Sequence, residues 1–113
     1  MHELSIMQSA LDQALERARL AGAQRVHEIR LRVGALSGVV PEALEIAFQS
    51  LIEGTTAEGA VLIIDDVPAR YWCTICDCEF TSENNFAECP ICHVNSLELR
   101  TGRELELASL EVT

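Results

Sequence analysis

Residues 73–92 read CTICDCEFTSENNFAECPIC, and this stretch decides how the rest of the 113-residue chain is divided. Cys73 and Cys76 form one C-x-x-C pair and Cys89 and Cys92 a second, with 12 residues between them. Two thiolates three positions apart can grip one ion from a tight turn, and two such turns close a tetrahedron. Pro90 stiffens the second turn. Trp72, Phe80 and Phe86 are three of the chain's five aromatic residues, enough for a small core that needs a metal staple to stand. The spacing therefore predicts a structural Zn(II) site on Cys73, Cys76, Cys89 and Cys92, inside an insert at about 70–99. A thioredoxin-like redox pair explains one C-x-x-C and leaves the other idle. An iron site for electron transfer uses the same four thiolates and stays open as an alternative. Cys78 is read as a free thiol near the site, and His93 as a ring close to it or in solvent; both are left out of the ligand set.

On either side of the insert the pattern is that of a small α+β domain. In residues 4–21, Leu4, Met7, Leu11, Ala14, Leu15 and Ala18 recur at spacings of three and four, one face of a helix. Ser5 and Gln8 fit a capping box, and Gly22 supplies a stop. Residues 25–33 (RVHEIRLRV) alternate, with Ile29, Leu31 and Val33 on one face and Glu28, Arg30 and Arg32 on the other. His27 shares the parity of the apolar face and is expected there as a satisfied structural histidine. Pro41 is placed to open a second helix, with Leu44, Ala47, Phe48, Leu51 and Ile52 inward and Gly54 at its end. Residues 60–67 form a β-branched strand closed by Pro68. The last 11 residues (RELELASLEVT) alternate with a change of phase at Ala108–Ser109, which predicts a bulge that keeps Leu105, Leu107, Leu110 and Val112 all inward. The order is α-β-α-β, cysteine insert, β: two helices on a small three-stranded sheet, with the four-cysteine, zinc-ribbon-like module inserted before the last strand.

Composition narrows the function. Eight arginines, with no lysine, face 18 acids, a formal net charge of −10. Between residues 70 and 100, Arg70 and Arg100 stand against Asp77, Glu79, Glu83, Glu88 and Glu98, so the second half offers phosphates no basic patch, and no nucleic-acid partner is expected. Glu3, Asp12 and Glu16 interrupt any secretory apolar core, and an uncharged run such as 33–41 is far short of the roughly 20 residues a bilayer requires. A cytoplasmic protein without a membrane partner is expected, and the odd cysteine count fits a reducing compartment better than a disulfide framework. No Ser-His-Asp pattern, phosphate-cradling loop or carboxylate pair in an apolar pocket points to an enzyme.

The amino end carries a separate signal. His is too bulky a second residue to favour removal of Met1, so the Met1 amine, deprotonated backbone amides and the His2 imidazole can close fused chelate rings in one plane. Nitrogen-rich square-planar sites suit Ni(II) or Cu(II), and Glu3 adds an amide nitrogen and a carboxylate. Most termini beginning Met-His are simply solvated, and these residues alone leave the choice open.

Taken together, the opening MHELSIM, RLRVGALSGVVPEAL at 30–44, GTTAEGAVL at 54–62 and the pairs WCTIC and CPICH resemble the HypA/HybF family of hydrogenase maturation factors, from end to end of the chain. The resemblance implies a nickel-binding α/β domain (1–69 plus 100–113) and a zinc-binding module (70–99). It implies a nickel metallochaperone: Ni(II) as cargo for the large subunit of nickel–iron hydrogenase, delivered with HypB, a nickel-associated GTPase, and in some members for urease. By position it places nickel on His2, with the Met1 amine and the Glu3 backbone, and zinc on Cys73, Cys76, Cys89 and Cys92. Cys78 lies outside the family motif, and His93 stands where many relatives have Gly. A zinc-ribbon interaction module without nickel cargo, and a rubredoxin-like electron carrier, are the competing readings.

Overall fold

The computed structural model describes residues 2–81 and 86–113, and of His2 the backbone alone; Glu83 lies outside the described residues. The order is α1 (His2–Leu20), β1 (Val26–Gly34), α2 (Pro41–Leu51), β2 (Val61–Val67), β3 (Arg70–Cys73), β4 (Cys78–Thr81), β5 (Glu98–Thr101) and β6 (Leu105–Val112). These form two three-stranded sheets, β2-β1-β6 and β4-β3-β5. The chain separates into two compact units, one of Met1–Arg32, Val39–Asp65 and Glu106–Thr113, the other of Val33–Gly38 and Asp66–Leu105. The α+β class, the two helices, the three-stranded sheet and the cysteine module ahead of the last strand are as expected. Among the described residues, no helix is long and apolar enough to cross a membrane.

In the first unit, Met7, Leu11, Ala14 and Ala18 are buried along α1, and Leu44, Ala47 and Phe48 along α2. The start of α1 differs from expectation. The helix already runs from His2, which puts Ser5 inside it, where an N-cap's extended backbone is impossible. Gln8 instead pairs one turn onward, its Nε2 donating to Asp12 Oδ1 at 2.8 Å. At the other end Gly22 has φ +75, and the bonds from Ala23 N–H to Ala18 O and Gly22 N–H to Arg19 O complete a Schellman stop. α2 has Pro41 in its first turn, and its N-cap, Val40, has no side chain to cap with. The Val40 N–H is taken up by Glu3 Oε2 at 3.2 Å, tying the start of α2 to the first turn of α1.

β1 is the central strand, with Ile29, Leu31 and Val33 buried. Arg30 on its wetter face reaches Asp65 of β2 at 2.8 Å, and Arg32 reaches Glu106 of β6 at 3.7 Å. Such half-exposed pairs add about 1 kcal/mol at most, so the apolar face, not these bridges, holds the strand. Two expectations fail here. His27 is exposed, with Nε2 2.8 Å from Thr113 Oγ1; Val26 is buried in its place, because the inward phase changes between Val26 and Ile29. On β6, Leu107 and Leu110 are half-buried, but Leu105 and Val112 are exposed. β6 is a sheet edge, so its ends find no cover.

The second unit is built on β3. Tyr71 and Cys73 alternate inward, opposite Phe80 and Cys78 of β4, while Trp72 points the other way. The core is Ala69, Tyr71, Cys73, Phe80 and Cys89, with Leu36, Cys76, Ala87, Cys92 and Leu99 packed against it. The expected aromatic trio is therefore corrected. Tyr71 stacks on Phe80 with centroids 5.6 Å apart, Phe86 is exposed, and Trp72 lies half-buried with the Arg100 guanidinium 4.7 Å from its ring centre. Strand alternation chose the inward ring; counting aromatics could not.

Gly34 and Gly102 lock this unit. The Leu36 N–H donates to Gly102 O at 2.6 Å, and a Cβ on Gly34 would meet that same oxygen at 2.1 Å. Gly34→Ala is expected to destabilise the protein by about 3 kcal/mol or more, since backbone must move to admit the methyl. Urea unfolding checks this, and a loss below about 1 kcal/mol would contradict the packing.

Candidate metal centre

The four paired cysteines are brought to one point by two similar turns. β3 ends at Cys73 and β4 begins at Cys78, so the first C-x-x-C is the hairpin between them. Cys76 N–H points at Cys73 Sγ, 3.4 Å away. In the second turn Cys89 N–H donates to Val94 O (3.1 Å), His93 N–H donates to Cys89 O (2.9 Å), and Glu88 bridges to Asn95. Each pair is followed by a residue in the left-handed region, Asp77 at φ 54 and His93 at φ 62. Asp and His are among the side chains that tolerate this conformation best after Gly, a signal the sequence reading did not use. Ser96 was also missed. Its Oγ donates to Trp72 O at 2.5 Å and its N–H to Ala87 O at 2.7 Å, pinning the second turn to β3.

The sulfurs of Cys73, Cys76, Cys89 and Cys92 all lie within 4.8 Å of one another. Cys73 and Cys92 are 3.5 Å apart and Cys76 and Cys89 3.9 Å. Zn–S bonds of about 2.3 Å in a tetrahedron put sulfurs about 3.8 Å apart, so the donor set fits zinc. All five cysteines are free thiols. Crowding splits their acidities. The amide of Cys92, then that of Ile91, draws the Cys89 thiol down to about 6, although burial works against it. Burial, with help from the surrounding thiols, pushes Cys76 up to about 12. At Cys92 the Val94 amide favours the thiolate, but burial and the Cys73 and Cys89 sulfurs outweigh it and the thiol is raised. Four anions cannot share this volume unaided; a divalent cation lets all four ionise together.

Cys78 sits opposite Cys73 in the β3–β4 register, half-buried, and is not a member of the four-sulfur group. His93 is exposed, with Nδ1 3.2 Å from Glu88 Oε2, and is likewise outside it. Cys78→Ser is expected to leave the tightly held metal at its original stoichiometry by elemental analysis; a drop by half or more would place Cys78 among the ligands. Among the described residues, no other cluster of three or more metal-binding side chains occurs. At the amino end, Met1 and the His2 side chain lie outside the described residues, so the expected nickel ligands there fall beyond them. Glu3, in the first turn of α1, uses its carboxylate on the Val40 amide.

Three kinds of comparison bear on this arrangement. A family model described as hydrogenase/urease nickel incorporation, metallochaperone, HypA, matches residues 1–112. The hydrogenase maturation factor HypA of Picosynechococcus sp. is 45% identical over 112 residues, covering 99% of each chain. That of Geobacter metallireducens is 41% identical over the same length and coverage. Among solved structures, the solution structure of a HypA protein superposes with a TM-score of 0.72 at 25% identity, covering 100% of this chain and 97% of that one. The solution structure of the Ni metallochaperone HypA from Helicobacter pylori gives 0.69 at 24% identity, covering 97% and 96%, a likeness of fold.

Proposed function

The chain belongs to the HypA family, metallochaperones of hydrogenase and urease nickel incorporation, and on that premise we propose that it binds Ni(II) at its amino end and delivers it during maturation of nickel–iron hydrogenase. The observation that carries this reading is the span of the family match, which takes in the amino end and the cysteine unit alike. Nickel is the cargo, on the His2 imidazole, the Met1 amine and the Glu3 backbone. The first-turn amides of a helix have no acceptor within the helix itself, so backbone nitrogens there are not already committed to helix bonds. α1 begins at His2, so the proposed cargo residues belong to such a first turn.

Zn(II) is the resident ion, held by Cys73, Cys76, Cys89 and Cys92. Cys73 and Cys89 are buried, and four protein sulfurs leave no open position, the pattern of a structural site rather than a transfer site. A helix end can fray and release an ion at little cost, whereas emptying the cysteine cage dismantles a core. Residues 1–69 with 100–113 thus act as the nickel-binding part and 70–99 as the zinc-binding part. The partners are a HypB-type nickel GTPase, the hydrogenase large subunit and, where urease is a client, its maturation proteins. The work is cytoplasmic and involves no catalysis of its own.

The test is the order of metal release on acidification. An amine near pH 8 and an imidazole near 6.5 in their ordinary ranges must both be deprotonated to bind, so nickel affinity falls as pH drops through that window. Nickel is expected to leave by about pH 6 while zinc stays to lower pH, as read by a chelating dye during titration. Release of both metals at one pH would contradict separate sites and roles.

A further inference from the structure

A groove of about 500 Å3 runs between α2 and β2, lined by Glu42, Glu45 and Ile46 on the helix and Ala60, Val61 and Leu62 on the strand side. β2 is an edge of its sheet, and its four consecutive apolar residues, 61–64, include none that is buried. Val61 is 56% exposed and Ile46, facing the same groove, 74%. A β-branched edge strand with bare N–H and C=O groups is a template for another strand, and proteins ordinarily blunt such edges with lysine, proline or a covering loop. Here 61–64 carry no charge, and the charged side chains at the groove are the exposed carboxylates of Glu42 and Glu45.

We propose that this groove docks an extended segment of a partner protein, with apolar residues and Lys or Arg taking turns at every second position, which adds to β2 as a fourth strand. Strand addition uses the edge for main-chain bonds and lets alternate side chains choose the partner. Every second side chain of the added strand faces α2; of these, the apolar ones settle on Ile46 and Leu62 and the basic ones meet Glu42 and Glu45. Charge selects against a second copy of this chain, whose β2 carries Asp65 and Asp66 and whose net charge is −10. The proposal rests on the groove, the strand edge and charge, and stands whatever metal the chain carries.

The experiment uses the full metal-loaded chain and three capped octapeptides with Thr at every second position and, at the four positions between, which share one face, Val and Arg, Val and Glu, or Ser and Arg in turn. The Val/Arg peptide is expected to bind, by fluorescence anisotropy, at least tenfold more tightly than the other two, and to slow hydrogen exchange at β2 amides. Glu42→Lys with Glu45→Lys, and separately Ile46→Glu, should each weaken it at least tenfold; all three side chains are exposed, so folding is retained, as circular dichroism would verify. Equal binding of Ser/Arg, equal binding of Val/Glu, absence of β2 protection, or no binding of Val/Arg would each overturn the proposal. So would β2 protection that rises with protein concentration alone alongside a sedimenting dimer, which makes a second copy the occupant.

Discussion

Cys89→Ser is expected to empty the cysteine site and unfold the second unit while α1 and α2 persist. Cys89 is fully buried, lies in the core of five residues with Tyr71 and Phe80, and supplies one of four sulfurs. A core of that size, drawn from residues 33–38 and 66–105, buries too little to stand without a metal. Structural zinc contributes on the order of 10–16 kcal/mol in small domains, against a typical net stability of about 5–15 kcal/mol for a whole domain. Losing one ligand therefore removes more than the unit's margin. Bound zinc should fall from one per chain to below about a tenth, near-ultraviolet circular dichroism from Trp72 and Tyr71 should collapse, and the helical far-ultraviolet signal should largely remain. Retention of one zinc per chain with an intact aromatic signal would mean that the four-sulfur cage does not hold up this unit.

Much of this architecture is written locally. The inward stripe Met7, Leu11, Ala14, Ala18, the alternation Ile29, Leu31, Val33 and the two C-x-x-C turns each declare themselves within a few residues, because helix period, strand period and ligand spacing are short-range properties. What was misread depends on distance or on competition between local signals. Ser5 and Gln8 have the residue types of a capping box, but the helix already runs from His2, three residues earlier, and overrides them. Leu105 and Val112 have the right alternation yet stay exposed, since only topology reveals that β6 is an edge. Tyr71 rather than Phe86 fills the module core, which follows from the pairing of β3 with β4. The clash that keeps Gly34 a glycine comes from Gly102, 68 positions along the chain, and no window of sequence contains both. The gathering of four cysteines was legible from spacing, but the pinning of the second turn by Ser96 and the left-handed backbone at Asp77 and His93 emerge only from the turns themselves.

The second large effect falls on the cargo. His2→Ala is expected to weaken Ni(II) binding by at least about 100-fold, more than the 10–100-fold typical of losing a residue that merely supports a ligand. On the proposed ligand set, removing the imidazole takes away the chelate ring that would close the plane and leaves only the amine and amide nitrogens to hold the ion. The substitution sits at the first residue of α1, far in sequence from the cysteines, so zinc content and thermal stability should be unchanged.

The direct test is an isothermal titration of untagged protein with Ni(II), native chain beside His2→Ala, after elemental analysis of each. One zinc in both, with one nickel bound only by the native chain, is the predicted result. Nickel binding of equal strength in the two would contradict the account and leave the chain a zinc-stapled module whose cargo site is not at its amino end.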